Sequence, residues 1–411
     1  MFRLRNLIIL LVFLTAIILI NNSIGNSFSI LQQVKYKLPD NFKIWLKENI
    51  FVHKSYQILK SENLRLKENI QLDKKNFSEV LEKIFRLSKS DDFLKEAIIQ
   101  SQDKISQNYK AIREDIIENY ILPKKITSFV DIKKNIPPGY WKNKPEGDFN
   151  VYKVTYYNMS HIGILEKNKG NKKLIIYNQG HNNNPYNHQY FIDLKNYYKN
   201  NGYDILSLSM TNLGYNLNTS NKKDKINFPG LKEPIIHLSH EDYKNFYDPM
   251  YPNLKGLSLM LSGNYYLIKE LIGNYNDVVM IGVSGGGWYT VLLSSIITEI
   301  KQSYSFSGTL PILLRMFGSA GDWEQIDSKI YDEYSYLDFY FLDVIDNFGE
   351  FSRVHYEVYS KNDTTFTFND PAASLFFNIK EETSTTENFK IFLLDSDKHE
   401  VNLQLLKKTL N

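Results

Sequence analysis

The chain has 411 residues, 43% hydrophobic and 23% charged, which suits a large folded domain with an appendage and does not suit general disorder. Its 49 basic and 46 acidic residues leave a net charge of +3, so composition gives no reason to expect a nucleic-acid partner. Cysteine is absent, which excludes disulfides, thiolate nucleophiles and cysteine-ligated metals, so covalent catalysis must use serine, threonine, lysine or a carboxylate.

Residues 1–25 have the pattern of a signal peptide or a signal-anchor. Arg3 and Arg5 precede an uninterrupted apolar run at 7–20. The run is somewhat shorter than a hydrocarbon core of about 30 Å, although flanking polar residues can extend the span. Residues 23–25 offer a weak cleavage site, so both outcomes stay open, with an N-terminal membrane anchor preferred. Everything beyond about position 25 is then expected outside the cytoplasm, on the periplasmic side of a Gram-negative cell, or secreted after cleavage.

Residues 26–137 are predicted to form a helical extension. Apolar residues recur at helical spacing at Val80, Ile84 and Leu87, and again at Ile112, Ile116 and Tyr120. The charged faces of these helices are expected to be solvated rather than to bind a dedicated partner. Proline and glycine at 137–139 and 145–147 then mark a junction, beyond which the pattern changes.

Residues 138–411 are predicted to form an α/β catalytic domain. The candidate strands lie at 151–157, 162–166, 174–178, 205–209, 278–283, 303–307, 353–360 and 389–394. Helical patterns lie between or after them at about 187–200, 255–273, 286–300 and 402–408. This alternation predicts a mainly parallel central sheet flanked by helices. The long segments at 212–255 and 310–349 are expected to form a lid or a pocket wall.

The sharpest motif is GVSGG at 282–286, which fits the G-x-S-x-G pattern. A buried-type strand leads into it and an apolar helix leads out. A nucleophile elbow needs this context, because its serine occupies a strained turn that exposes Oγ. We therefore predict Ser284 as the nucleophile and the backbone N–H of Gly285, at the helix N-terminus, as one oxyanion donor. A plain glycine turn is the alternative.

A serine hydroxyl needs a base to remove its proton. His399 follows the last predicted strand in FKIFLLDSDKHE and precedes the terminal helix, so we predict it as that base. His355 lies inside a strand pattern and is expected to be structural. For His237 and His240, in the first long insertion, substrate contact and surface placement are equally open.

The third catalytic group should be a carboxylate that orients the histidine, placed between serine and histidine in the chain. Asp363 follows the penultimate strand in SKND and is the preferred acid, with an ordinary Asx turn as the alternative. Asp322, in GDWEQ, is the alternative acid, since some hydrolases take it one strand earlier. Asp395 and Asp397 lie too near His399 in the chain for easy triad geometry.

The loop after the third predicted strand is the expected source of a second oxyanion donor. It reads NQGHNNN from position 178, where Gly180 permits close backbone approach. The backbone of 180–182, foremost the N–H of His181, is the candidate, and a plain Asn/Gly turn is the alternative. No cluster of His and Asp at metal-ligand spacing is evident, so we expect no metal.

These motifs resemble the α/β-hydrolase superfamily over about 152–408. The matches are GVSGGGW, NQGH, GYDILSLSM, SKND and DSDKHE. The elbow is similar to that of acetyl esterases, dienelactone hydrolases and prolyl-oligopeptidase-type enzymes, and the block SYSFSGTLPILLR with GDWEQ resembles a poorly characterised bacterial subgroup. The resemblance implies acyl-enzyme chemistry by Ser284, Asp363 and His399 without a cofactor. The loop QGHNNN departs from the His-Gly-x-Gly of many relatives, which leaves the second oxyanion donor open.

We therefore expect a serine hydrolase that acts on carboxylic esters outside the cytoplasm. Its expected partners are a small-molecule or glycan-linked ester and, through the N-terminal segment, the membrane. A serine peptidase of the prolyl-oligopeptidase-like branch would keep the same triad, although the helical N-terminal pattern does not suggest the propeller that such enzymes usually carry. A catalytically silent binding protein on the same fold is the third alternative.

Overall fold

The computed structural model describes residues 90–122, 129–133, 149–156, 159–168, 170, 172–181, 184–216, 243–244, 246, 255–315, 322–363, 365, 371–383 and 386–410. By contacts the chain divides into two compact units, Met1–Glu96 with Leu313–Ala320, and Ala97–Ile312 with Gly321–Asn411. The predicted signal-anchor at 1–25 and the apolar repeat at 80–87 lie outside the described residues and stay predictions. Of the helices that are described, none is both long and apolar enough to cross a membrane.

Within the described residues, nine strands form one sheet. In chain order they are β1 Phe129–Lys133, β2 Phe149–Tyr156, β3 Met159–Glu166, β4 Lys173–Asn178, β5 Tyr203–Leu208, β6 Asp277–Val283, β7 Gln302–Phe306, β8 Val354–Ser360 and β9 Phe389–Leu394. Their order across the sheet is β1-β2-β3-β5-β4-β6-β7-β8-β9. Pairing is antiparallel from β1 to β5 and parallel from β5 to β9, which confirms the predicted mainly parallel sheet.

The helices cover both faces of this sheet. They are α1 Ser90–Ile116, α2 Gln189–Asn200, α3 Gly256–Ile272, α4 Gly285–Ile296, α5 Ile312–Arg315, α6 Ser328–Tyr331, α7 Tyr336–Val344, α8 Pro371–Thr383 and α9 Leu403–Thr409. Helices α2 and α9 share one hydrophobic core with strands β3 to β8. Helix α4 packs on β4, β6 and β7, and α7 packs on α4 and β8. Covered strands need apolar residues on both faces, which explains the continuous apolar runs of β4 and β6.

Parts of the second long insertion belong to the core. Every residue of α7 is buried, so this stretch of 310–349 packs in the core and is not a lid, while the expected pocket wall stays a prediction. The helix begins with a capping box in which the Ser335 side chain accepts from the N–H of Asp338 and the Asp338 carboxylate accepts from the N–H of Ser335. The structure of the first insertion lies mostly outside the described residues.

The described part of the predicted helical extension contains α1 and β1. Ile112, Ile116 and Tyr120 are buried on one side, which confirms the helical spacing predicted there. Strand β1 was not predicted. It pairs antiparallel with β2 along its whole length and so extends the sheet at its outer edge. The domain limits at 25 and 137 stay predictions.

Arg113 of α1 is a buried cation that binds the carboxyl ends of two other helices. Its guanidinium donates to the carbonyls of Ser295 at 2.9 Å, Asp346 at 2.9 Å and Leu342 at 2.7 Å, and also to that of Ile345. These carbonyls end α4 and α7, where the last turn of a helix lacks internal donors and carries partial negative charge. Arg113 therefore fixes α1 to the carboxyl ends of α4 and α7.

Replacing Arg113 by methionine is expected to lower the free energy of unfolding by about 3–5 kcal/mol, because the buried carbonyls lose a charged donor. Chemical denaturation measures this change. Glu114→Gln, at the exposed neighbouring position, is the matched control and should change stability by less than about 0.5 kcal/mol. An Arg113→Met protein that unfolds with the wild-type midpoint would show that these bonds do not stabilise the fold.

Candidate active site

Ser284 occupies a strained turn between β6 and α4. Its φ of 58° and ψ of −130° are rarely adopted by residues other than glycine. The Ser284 N–H donates to the carbonyl of Phe306 at 2.9 Å, and its own carbonyl accepts from the N–H groups of Gly287 at 2.8 Å and Trp288 at 3.1 Å. Strand β7 and the first turn of α4 thus hold the strained conformation, as a nucleophile elbow requires.

The glycines around Ser284 are required by close packing. A methyl group on Gly282 would overlap the carbonyl of Gly286, and one on Gly286 would overlap the carbonyl of Asn178 at the end of β4. The start of α4 therefore lies directly against the ends of β4 and β6. Of the two first interpretations of GVSGG, the geometry matches the elbow, because a plain turn would not place its serine in this strained conformation between strand and helix.

His399 and Asp363 lie together after neighbouring parallel strands. His399 Nδ1 is 2.6 Å from Asp363 Oδ2, and the N–H of Thr365 donates to Asp363 Oδ1 at 2.9 Å. The Asp363 side chain is only 4% exposed and that of His399 16%. With the Nδ1 proton directed at the carboxylate, Nε2 is the nitrogen that accepts a proton in this tautomer.

Backbone hydrogen bonds join the two loops that carry this pair. The N–H of Lys361 donates to Leu394 and that of Asn362 to Ser396, both at 3.0 Å. Strands β6, β8 and β9 run parallel, so Ser284, Asp363 and His399 all follow the same edge of the sheet. In open α/β sheets this carboxyl edge is where ligands bind. The structure thus brings the predicted base and preferred acid together, at the edge that carries the predicted nucleophile.

The loop after β4 touches the elbow. A methyl group on Gly180 would lie 2.7 Å from the Val283 carbonyl oxygen, 2.8 Å from Ser284 Cβ and 3.2 Å from the backbone nitrogen of Gly285. In the sheet, β5 lies on one side of β4 and β6 lies on the other. The strand order therefore reverses direction at β4, and this contact lies at that topological switch point. The residues predicted for the two sides of an oxyanion hole are therefore adjacent.

The His181 side chain binds two carboxylates. Its Nε2 is 3.1 Å from Asp322 Oδ2 and 3.2 Å from Glu324 Oε1, so both carboxylates lie at ion-pair distance from the ring. Asp322, the alternative acid, therefore contacts His181, whereas Asp363 contacts His399. Burial by itself lowers the pKa of His181, but the hydrogen bond to Glu324 and the charges of Glu324 and Asp322 outweigh it and raise that pKa above its ordinary value.

Glu324 is the member of this cluster that sequence reasoning missed. Its side chain is completely buried, whereas that of Asp322 is 47% exposed. The ring of His181 in turn faces the elbow, since a methyl group on Gly285 would lie 2.5 Å from Cε1 and 2.6 Å from Nδ1. One ring nitrogen of His181 and one carboxylate oxygen each of Asp322 and Glu324 lie within 4.8 Å of one another, a grouping that the spacing along the chain did not predict.

His355 lies in β8 away from this edge, as expected of a structural residue. Its Nδ1 is 2.7 Å from Ser303 Oγ and 3.0 Å from Asp343 Oδ2, and its Nε2 is 3.1 Å from Glu357 Oε1. Burial alone lowers the pKa of His355, but the two carboxylates outweigh it and raise the value to about 9. The imidazolium therefore balances charge inside the core. His237 and His240 lie outside the described residues.

Comparison with known proteins finds likeness to solved structures alone. No family model and no curated protein matches the chain. The Pyrococcus furiosus esterase Pf2001 is 14% identical with a TM-score of 0.39, covering 67% of this chain and 92% of its own. Acetyl xylan esterase 1 of a Thermoanaerobacterium species is 12% identical with a TM-score of 0.41, covering 74% and 92%. The Pyrococcus horikoshii acylaminoacyl peptidase is 13% identical with a TM-score of 0.37, covering 62% and 38%.

Sequence identities and TM-scores this low do not support transferring an activity to this chain. We therefore identify the fold from the geometry of this chain alone. A mainly parallel sheet carries a serine at a strained strand-to-helix turn. A hydrogen-bonded Asp–His pair follows later strands in the order serine, acid, histidine. These are the features of the α/β-hydrolase fold.

Proposed function

We propose that the protein is a serine hydrolase that cleaves carboxylic esters through an acyl-enzyme intermediate. The 2.6 Å contact between His399 and Asp363, at the sheet edge that carries the strained Ser284, is the observation that carries this proposal. A buried carboxylate on Nδ1 fixes the imidazole so that Nε2 serves as the base. An unactivated serine needs such a base to become nucleophilic at neutral pH.

In the first half of the reaction, Ser284 Oγ attacks the ester carbonyl carbon while its proton passes to His399 Nε2. Asp363 stabilises the imidazolium that forms. The tetrahedral intermediate then breaks its bond to the alcohol oxygen, which leaves with the proton from Nε2. In the second half, water gives a proton to Nε2 and attacks the acyl carbon, and Ser284 Oγ regains that proton as the carboxylic acid leaves.

The negative oxygen of each tetrahedral intermediate needs donors that are already in place. The backbone N–H of Gly285 is the first, and it lies at the N-terminus of α4, where the helix dipole favours negative charge. The backbone of Gly180 and His181 supplies the second. The close approach of Gly180 to Ser284 and to the Gly285 nitrogen supports this role, because the loop lies against the turn that carries the nucleophile and the first donor.

The ester class follows from the likeness of the GVSGGG elbow to acetyl esterases and dienelactone hydrolases. Among the described residues, those before β2 form a helix and an edge strand rather than a propeller blade, which disfavours a prolyl-oligopeptidase-type enzyme. Ester substrates also carry better leaving groups than peptides do, so the same triad cleaves them more readily.

A substrate panel tests the proposal. p-Nitrophenyl acetate, butyrate and octanoate are compared with acylated peptide p-nitroanilides, and kcat/KM is measured for each. We expect at least one ester to exceed every peptide by about 100-fold or more, a difference of roughly 2.7 kcal/mol in transition-state binding. Faster cleavage of a peptide would assign a peptidase instead. Wild-type protein that turns over no substrate and fails to react with a fluorophosphonate probe would indicate a catalytically silent fold.

A further inference from the structure

The His181 cluster, made of the side chains of His181, Asp322 and Glu324, lies beside the elbow, and these side chains have no part in the steps above. Its three side chains come from the loop after β4 and from a short turn after β7 that the triad does not use. Burying a carboxylate as fully as that of Glu324 costs free energy unless hydrogen bonds and a cation offset it. The imidazole of His181 is such a partner, at 3.2 Å.

The turn that carries Glu324 is anchored to the helix that begins at the elbow. The hydroxyl of Tyr336 donates to the Gln325 carbonyl at 2.9 Å and lies 2.9 Å from the hydroxyl of Tyr331, from which it can accept a hydrogen bond. Trp288 Nε1, one turn into α4, donates to that same Tyr331 hydroxyl at 2.6 Å. All of these side chains are buried. The position of Glu324 is therefore fixed relative to the start of α4.

His181 connects Glu324 to the elbow. Glu324 Oε1 lies 3.2 Å from Nε2 of the ring, and the adjacent Cε1–Nδ1 edge of the ring lies against Gly285. Because the ring is paired at Nε2 and packed at Cε1 and Nδ1, the His181 side chain has little freedom to rotate, and it tethers the backbone of the β4 loop. The raised pKa of His181 keeps the imidazole charged over a wider pH range, and two nearby carboxylates attract a charged ring more strongly than a neutral one.

We propose that Glu324, assisted by Asp322, is a positioning residue for the oxyanion site, acting through His181 to hold the backbone of the β4 loop against the elbow. This inference rests on the proposed serine-hydrolase function. Glu324 touches no reacting atom. Its effect is on the alignment of the second donor, where a displacement of about 1 Å can cost on the order of 100-fold in rate. Asp322 is half exposed, so its contribution is the smaller of the two.

Glu324→Gln is expected to lower kcat by about 10- to 100-fold while KM changes by less than about twofold. A trifluoromethyl ketone, which forms an oxyanion on the serine, should lose affinity by a similar factor, because it depends on the same donors. Asp322→Asn should lower kcat by less than about tenfold. Glu387→Gln, at an exposed position on another loop, is the control and should match wild type in kcat and inhibitor affinity.

If Glu324 had only a structural role, Glu324→Gln would lower the stability of the protein or the fraction of active enzyme. It would not weaken binding of the trifluoromethyl ketone while leaving KM unchanged. The inference is therefore overturned if Glu324→Gln keeps wild-type kcat and inhibitor affinity, or if both losses vanish after correction for active sites. Wild-type turnover that is lost in EDTA and restored by Zn²⁺ would also overturn it, because the cluster would then bind a cation. Absence of fluorophosphonate labelling in wild type would instead reject the proposed function.

Discussion

Ser284→Ala is expected to abolish labelling by a fluorophosphonate probe and to lower kcat by about 10⁴- to 10⁶-fold. Removing a triad serine has an effect of this size, because the residual rate comes only from binding and the oxyanion donors. The strained turn presents this one hydroxyl after β6, and its backbone is held by Phe306 and Gly287 independently of Oγ. The alanine protein should therefore keep its fold, which circular dichroism and the unfolding midpoint check.

Ser295→Ala is the matched control for this substitution. Ser295 is a buried serine of the same helix, α4, and its Oγ donates to the Leu292 carbonyl at 2.8 Å within that helix. Alanine suits a helix interior well, so labelling and turnover should match wild type. If Ser284→Ala is still labelled at the wild-type rate, a different nucleophile carries the reaction and the elbow is not the active site.

Most of the sheet could be predicted because its strands carry a strong local signal. Strands β4 and β6 are apolar runs bounded by turn residues, and their observed limits, Lys173–Asn178 and Asp277–Val283, differ from the predicted ones by a residue at most. Strand β1 lacks that signal, since Phe129–Lys133 is short and follows a helical segment. Its place in the sheet comes from pairing with β2, a contact that local pattern does not encode.

Helix α7 was missed for the opposite reason. The sequence YLDFYFLDV has no polar face, because the helix is buried on every side, and helical periodicity is visible only when one face meets water. Asp338 and Asp343 interrupt the apolar pattern, yet both are buried and hydrogen-bonded, Asp338 to Lys104 and Asp343 to Ser294. From sequence alone, charged residues such as these are assigned to the surface, because their buried hydrogen-bond partners are not known.

In the candidate site too, some residues could be predicted from the sequence and others could not. Ser284, Asp363 and His399 each follow a recognisable strand, so the order of elements along the chain was enough to propose them. The His181 cluster joins two loops far apart in the chain, and nothing near Glu324 in the sequence marks a buried carboxylate. Asp322 was weighed as the acid because it follows β7, but tertiary contact pairs it with His181. The order of elements along the chain thus predicts the roles of residues that directly follow strands. It does not predict the roles of residues that are paired by contact between distant loops.

Asp363→Asn is expected to lower kcat by about 10⁴-fold with little change in KM. The carboxylate oxygen now accepts the Nδ1 proton of His399 at 2.6 Å, whereas an amide nitrogen in its place would donate. The imidazole would then shift its proton to Nε2, the nitrogen that must accept the proton of Ser284. The loss should appear in kcat, measured with the best ester of the panel, because the fault lies in proton transfer rather than in substrate binding.

Two substitutions separate this role from a general loss of negative charge. Asp397→Asn removes an exposed carboxylate two positions before His399 and should leave kcat within about twofold of wild type. Asp322→Asn, at the alternative acid, should cost less than about tenfold through the His181 cluster. A loss of about 10⁴-fold for Asp322→Asn, with near wild-type turnover for Asp363→Asn, would reverse the assignment. The 2.6 Å contact would then be a structural ion pair, and His399 would need a different acid to hold its tautomer.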